Sequence, residues 1–201
     1  MNGKHSKALP YIGVVVSIAI VFLLVLTLSR QKHQKDIKYY TVMNPELDFS
    51  LKDQDGQDFH LRDHRGEIVL LFFGYLTCPD ICPVTISKLS RAYRILGGDG
   101  NKILTVFITI DPERDTPQKL KEYLKYFKLN MIGLTGTKQE IDKVVDSYKA
   151  SYQKVEMDSE AGYLMDHSDL VYLIDAKGRV VDLIHFDDEV ERIAQMIKKV
   201  L

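Results

Sequence analysis

Ile68-Val69-Leu70-Leu71-Phe72-Phe73-Gly74-Tyr75-Leu76-Thr77-Cys78-Pro79-Asp80-Ile81-Cys82-Pro83 is the stretch from which the fold can be read. Its first six residues are an unbroken apolar run closed by glycine, the pattern of a strand buried on both faces. Downstream, Ile86, Leu89, Tyr93 and Leu96 recur at helical spacing between Val84 and Leu96. Pro83 suits the first turn of that helix, where no N–H is required. The residues between hold both cysteines of the chain, each followed by proline, which argues for a short stiff turn rather than continuous helix. A dithiol therefore sits on a strand-to-helix turn with Cys82 at the helix mouth, where the positive end of the dipole is expected to lower its pKa. Such a pair can bind a soft metal, exchange with a disulfide, or close into a bridge.

Further strands and helices follow in alternation. Ile103 to Ile110 reads as a second buried strand, followed by the charged turn Asp111-Pro112-Glu113-Arg114-Asp115-Thr116. Thr116 as N-cap and Pro117 at the first helical position open a helix with Leu120, Tyr123, Leu124 and Phe127 on its buried face. Met131 to Leu134 is a third strand, and Thr137 with Glu140 forms a capping box for a helix to about Tyr148. Residues 151–165 read as irregular or a ribbon. Leu170–Ile174 and Val180–Phe186 flank a hairpin turn at residues 175–178, and Asp187 is expected to cap a terminal helix. Upstream, Asp55-Gly56 marks a hairpin between Phe49-Ser50-Leu51 and Phe59-His60-Leu61. Asp53, Asp55 and Asp58 lack the glycine and glutamate spacing of a calcium loop. His60 and His64 read as surface and loop residues. Gly97-Gly98-Asp99-Gly100 lacks the spacing of a phosphate-cradling loop and reads as a flexible connection. The pattern implies an α/β fold, a thioredoxin-like three-layer sandwich with a central mixed sheet.

The amino-terminal end differs from the rest. Ala8 to Ser29 carries no charge over 22 residues rich in Val, Ile and Leu, and as a helix would reach roughly 33 Å, enough to cross a bilayer core. Leu26-Thr27-Leu28-Ser29-Arg30 offers no small-x-small cleavage site, so an uncleaved transmembrane helix is expected rather than a signal peptide. The expected organisation is a cytoplasmic tail at 1–7, an anchor at 8–29, a polar linker at 30–44 containing His33, and one domain at 45–201. Lys4 and Lys7 precede the anchor, and Arg30, Lys32, Lys35 and Lys38 follow it. The positive-inside rule alone would turn the domain inward, but long domains translocate largely regardless of such charges, and the dithiol chemistry favours the outer side. Six of the 27 bases and one of the 28 acids lie in residues 1–40. The remainder holds 21 and 27, a net charge of −6 with no basic stripe for nucleic acid. Two cysteines are too few to staple a domain of this size, so they are read as chemistry.

Three blocks carry a family resemblance: Gly74 to Pro83, Ile110 to Thr116, and Asp166-His167-Ser168 leading into Val171-Tyr172-Leu173-Ile174-Asp175. In that order they resemble the Sco/SenC copper proteins that serve cytochrome c oxidase assembly, over essentially residues 45–200. Leu76 and Thr77 depart from the residues expected there in some relatives, which bears on packing around the site rather than on its ligands. The resemblance implies a thioredoxin-like domain binding one copper, as Cu(I) or Cu(II), through Cys78, Cys82 and His167. It also implies delivery to the dinuclear copper site of cytochrome c oxidase subunit II, with an upstream copper donor or thiol reductant as further partner. Two thiolates suit soft Cu(I), and an imidazole keeps Cu(II) tolerable. Zinc fits less well, because structural zinc sites use four protein ligands. Asp166 is expected either to orient His167 or to cap its loop, and Asp111, Arg114 and Asp115 to form a charge-stabilised turn beside the site.

The main rival reading is a thiol–disulfide oxidoreductase using Cys78 and Cys82 to reduce the copper acceptor's cysteines. Against it, three residues separate the cysteines where the common redox motif has two, and a reductase has no evident need of His167. A peroxidase built on Thr77-Cys78, a structural disulfide and copper-dependent redox signalling rank below it. With no Arg/Ser-rich leader before the anchor, the expected location is a bacterial cytoplasmic membrane with the domain in the periplasm. The alternative is a mitochondrial inner membrane with the domain facing the intermembrane space.

Overall fold

A computed structural model of the chain describes residues 9–43, 47–157 and 162–201, and within 9–43 the side chains of Gly13 and residues 15–31. The tail expected at 1–7 and Ala8, the first anchor residue, lie outside the described residues, as does the His33 side chain. The chain divides into a segment through Tyr39 and a compact unit from Tyr40 to Leu201.

Helix α1 (Leu9–Met43) does not stop at Ser29. The linker expected over 30–44 is helical to Met43, because its Gln and Lys residues are good helix formers and neither Gly nor Pro interrupts them. Large apolar side chains from Val15 to Leu28 are exposed. Among the described residues no helix is long and apolar enough to cross a membrane.

The second unit is built on a seven-stranded sheet in the order β2-β1-β5-β4-β3-β8-β9. Its strands are β1 (Ser50–Asp53), β2 (Asp58–His60), β3 (Ile68–Gly74), β4 (Ile103–Thr109), β5 (Met131–Thr135), β8 (Val171–Ile174) and β9 (Val180–Ile184). β3, β4 and β5 are parallel, and β1 and β8 join them antiparallel, so the sheet is mixed as the sequence implies. Every residue of β3 and β4 is buried. Ile68, Leu70 and Phe72 face a core with α2 (Ile81–Leu96), α3 (Pro117–Leu124) and α5 (Val190–Lys198). Val69, Leu71 and Phe73 face a second core with α4 (Lys138–Ser147) and the β1–β2 hairpin. Helices cover both faces, which is why these strands read as continuous apolar runs.

Local sequence rules set most boundaries. The capping box at Thr137 and Glu140 forms as expected, and Thr116 accepts the Lys119 N–H with Pro117 following. The Asp55-Gly56 turn forms with Gly56 at φ +77°, and Asp53 accepts the N–H groups of Asp55 and Gln57, so this carboxylate serves the turn. Two expectations shift. Residues 97–102 are a 3-10 turn rather than a loose connection. The terminal helix begins after Glu189 rather than at Asp187, because the Asp188 carboxylate accepts the His185 N–H and pairs with Arg192.

Residues 152–167 form a two-stranded ribbon apart from the main sheet, β6 (Tyr152–Glu156) against β7 (Tyr163–His167). Strand register brings the three sequence blocks to one edge. Gly74 pairs with Thr109, so the turns after β3 and β4 leave side by side, and the Ile110 N–H donates to the Gly74 carbonyl at 2.9 Å. β8 runs the other way with Val171 opposite Phe72, so the residues before it return to the same edge.

Helix α2 is held to the sheet chiefly by Ile86 and Leu89, both fully buried, each worth about 1.5–3 kcal/mol. Leu89→Ala is expected to destabilise the fold by roughly 2–5 kcal/mol, read from urea unfolding; a loss below about 0.5 kcal/mol would show that α2 is not anchored there.

Candidate metal centre

The site begins where β3 ends. A Cβ on Gly74 would lie 2.7 Å from Cys82 Sγ and 2.7 Å from the Phe107 ring, so only glycine lets the sulfur pack against the strand. The chain then turns, the Cys78 N–H donating to the Tyr75 carbonyl at 3.2 Å, and α2 starts with Asp80 as N-cap. The Asp80 side chain does not cap the helix. Instead the Cys82 N–H points to Cys78 Sγ at 3.5 Å, so a sulfur occupies the position an N-cap oxygen usually takes.

This geometry reverses one expectation. Cys78, not Cys82, is the favoured thiolate, its pKa lowered by the hydrogen bond from the Cys82 thiol, with help from His167 and the Cys82 and Asp80 N–H groups, against partial burial. Cys82 is pushed strongly upward by the same partnership, its proton being held for Cys78, and by burial at 1 % exposure. The dipole argument holds, but it acts on the sulfur lying outside the helix end rather than the one inside its first turn. Neither cysteine is in a disulfide.

His167 ends β7, in the ribbon, four positions before β8 begins at Val171. Its Nδ1 donates to the Ser168 carbonyl at 2.8 Å, which leaves Nε2 free to face Cys82 Sγ at 3.7 Å. Burial works against charge on the ring, but the Cys78 thiolate and the Ser168 carbonyl outweigh it and the pKa is raised. Tyr75 stands edge-on to the ring at 5.9 Å. Asp166 is exposed, and the orienting partner of His167 is the Ser168 carbonyl, so neither role expected for that aspartate is the one observed. Ser168 and Tyr75 were missed by sequence reasoning, since a backbone carbonyl carries no residue-type signal.

The donor atoms of Cys78, Cys82 and His167 all lie within 4.8 Å of one another. Among the described residues they are the group of His, Cys, Asp or Glu side chains able to hold a metal. Cys78 and His167 line an open cavity of about 300 Å³ whose walls include Tyr75, Pro79, Ile81 and Leu164, while Cys82 is buried. Two sulfurs and one imidazole in a largely apolar setting suit a soft ion and leave room for a further donor. The turn after β4 is the buried charge network expected: Asp111 and Asp115 are 3 % and 1 % exposed, and Arg114 Nε donates to Asp111 at 2.5 Å.

Fold and site together define a thioredoxin-like protein with a Cys-x3-Cys pair and a distant histidine gathered into one group that could hold a metal ion. The chain belongs to the SCO1/SenC family, whose model matches residues 41–201. A "SCO2-like protein" of Rickettsia felis is 40% identical over 204 residues, 98% of each chain. The structure of Bradyrhizobium japonicum ScoI with copper bound superposes with a TM-score of 0.70 at 38% identity, covering 78% of this chain and 99% of that one. BsSco, described as a member of the Sco family of cytochrome c oxidase assembly proteins with a disulfide switch, shares the fold at 24% identity and a TM-score of 0.60, over 77% of this chain and 91% of that one.

With its pKa lowered by its hydrogen-bond partners, Cys78 keeps its thiolate to lower pH than an ordinary thiol, which loses it tenfold per pH unit. In the reduced, metal-free chain, iodoacetamide is expected to alkylate Cys78 in preference to Cys82, at a rate that falls far less than tenfold per unit as the pH drops from about 8. A Cys78 rate rising tenfold per unit, or preferential labelling of Cys82, would contradict the assignment.

Proposed function

We propose that the chain is a membrane-tethered copper carrier that delivers copper to the dinuclear site of cytochrome c oxidase subunit II during its assembly. Cys78, Cys82 and His167 are the ligands in this reading. The observation that carries it is the convergence of those three donors within 4.8 Å at an open sheet edge. Membership of a family of oxidase assembly proteins, with copper bound in the Bradyrhizobium relative, supports the choice of metal and client.

The chemistry follows from the donor set. Cys78 is the favoured thiolate, and Cys82 gives up its proton as the cation displaces it. His167, whose pKa is raised in the metal-free chain, gives up any proton on Nε2 to bind as a neutral ligand, its Nδ1–H remaining on Ser168. A three-donor site lets an incoming thiolate or imidazole bind before the carrier's ligands leave, so copper passes by ligand exchange without entering solution. For Cu(I) no electron is transferred. The anchor is the apolar part of α1, whose exposed Val, Ile, Leu and Phe side chains need a non-aqueous surrounding. The domain is assigned to the periplasmic side of a bacterial cytoplasmic membrane.

A second activity is favoured by the inequality of the thiols. The Cys78 thiolate can attack a disulfide of the acceptor to give a mixed disulfide. Cys82, losing its proton, then attacks Cys78 Sγ, releasing the acceptor dithiol and leaving a Cys78–Cys82 disulfide for an external thiol reductant to reopen.

Anaerobic titration of the reduced chain is expected to show one tight Cu(I), with affinity falling about 10- to 100-fold or more in His167→Ala. Binding that ignores His167, together with rapid reduction of acceptor disulfides, would put the reductase reading first.

A further inference from the structure

Two stretches that are remote in sequence must meet for the three donors to converge: the cysteine turn after β3 and the ribbon that ends in His167. Both are tied to the turn after β4. On one side, Asp115 Oδ2 accepts the Leu76 N–H at 3.0 Å and the Thr109 hydroxyl at 2.6 Å. Leu76 lies two residues before Cys78, and Asp115 is fully buried, so the bond fixes backbone inside the cysteine turn. On the other side, Arg114 Nη1 donates to the Tyr163 carbonyl at 3.0 Å, and the guanidinium carbon lies 3.5 Å from the centre of the Tyr163 ring. Tyr163 opens β7, the strand that ends in His167, and its hydroxyl donates to Asp111 at 2.8 Å. Within the turn, the N–H groups of Arg114 and Asp115 both donate to the Asp111 carbonyl, at 3.1 and 2.9 Å. The two grips are therefore adjacent residues of one rigid turn.

We infer that Asp115 and Arg114 are positioning residues of the metal site, the first holding the cysteine turn and the second holding the histidine ribbon, so that the Thr109–Asp115 turn sets the spacing between dithiol and imidazole. The inference rests on the three-ligand reading for its metal consequences, but the two grips exist in the metal-free chain. Neither side chain contributes a donor atom to the group that can hold the ion. Both contacts of Asp115 go to the same carboxylate oxygen. An asparagine with its carbonyl oxygen in that position keeps them, and an alanine removes both. A lysine at 114 keeps the charge but cannot form the planar fork that stacks on Tyr163 while bonding its carbonyl.

The test uses the full-length chain in detergent micelles, comparing Asp115→Ala, Asp115→Asn and Arg114→Lys. Two readouts need no metal: hydrogen exchange at the Leu76 amide, and the contact between the Tyr75 and His167 rings seen as a nuclear Overhauser effect. A third is the Cu(II) spectrum, where thiolate charge-transfer bands report the cysteines and nitrogen hyperfine coupling reports His167. Asp115→Ala is expected to speed exchange at Leu76, shift the thiolate bands and weaken copper about 10- to 100-fold, while Asp115→Asn stays close to the native chain. Arg114→Lys is expected to leave Leu76 protected but lose the ring contact and the nitrogen coupling. Native behaviour in both Asp115→Ala and Arg114→Lys would overturn the proposal. So would loss of all readouts together in either variant, since that marks a general structural role. If the native chain itself bound no copper, the carrier reading would fail, and the two metal-free readouts would still decide whether the turn holds the two stretches.

Discussion

The whole site depends on where one sulfur sits. The first turn of α2 leaves N–H groups without intrahelical partners, and Cys78 Sγ lies against one of them. That position makes Cys78 the anionic member of the pair and Cys82 the protonated one. It also holds the two sulfurs close enough to act together, and it presents them to the Nε2 of His167. The position can exist only because Gly74 yields space to Cys82, since any side chain there would collide with the sulfur. A glycine at the end of a buried strand and a four-residue cysteine spacing are therefore one device.

The sheet supplies the second half of the arrangement. Parallel β3 and β4 end level, and antiparallel β8 begins beside their ends, so three turns far apart in sequence meet at one edge. Carboxylates 111 and 115 are deeply buried there, which would be costly if they lacked partners. Each is instead committed to hydrogen bonds from the surrounding turn, the cysteine loop or Tyr163. Burial still raises the pKa of Asp115, so the carboxylate is held in place by those donors rather than by solvation. The polar network stiffens the scaffold, while Cys78 and His167 line an open cavity.

Much of this was legible in the sequence, for physical reasons that differ by element. Strands β3 and β4 announced themselves because burial on both faces demands unbroken apolar runs, and α3 and α4 because their caps are local chemistry. The dithiol turn followed from proline and glycine placement. What escaped was set by tertiary contact or by the backbone. The ribbon at 152–167 has weak apolar patterning because most of β6 is exposed, and the sequence left it between loop and strand. The choice between Cys78 and Cys82 as thiolate needed the three-dimensional path of the turn, which no spacing rule supplies. Ser168 orients His167 through its carbonyl, a group every residue carries, while Asp166 drew attention only by being acidic.

The ligand set in the loaded protein decides whether Cys78, Cys82 and His167 act as one site. X-ray absorption at the copper edge of the reduced, full-length chain measures it directly. Two sulfurs and one nitrogen around Cu(I) are expected, with the nitrogen absent when His167 is replaced by alanine. A sulfur-only shell in the native chain, or a nitrogen that survives that replacement, would contradict it.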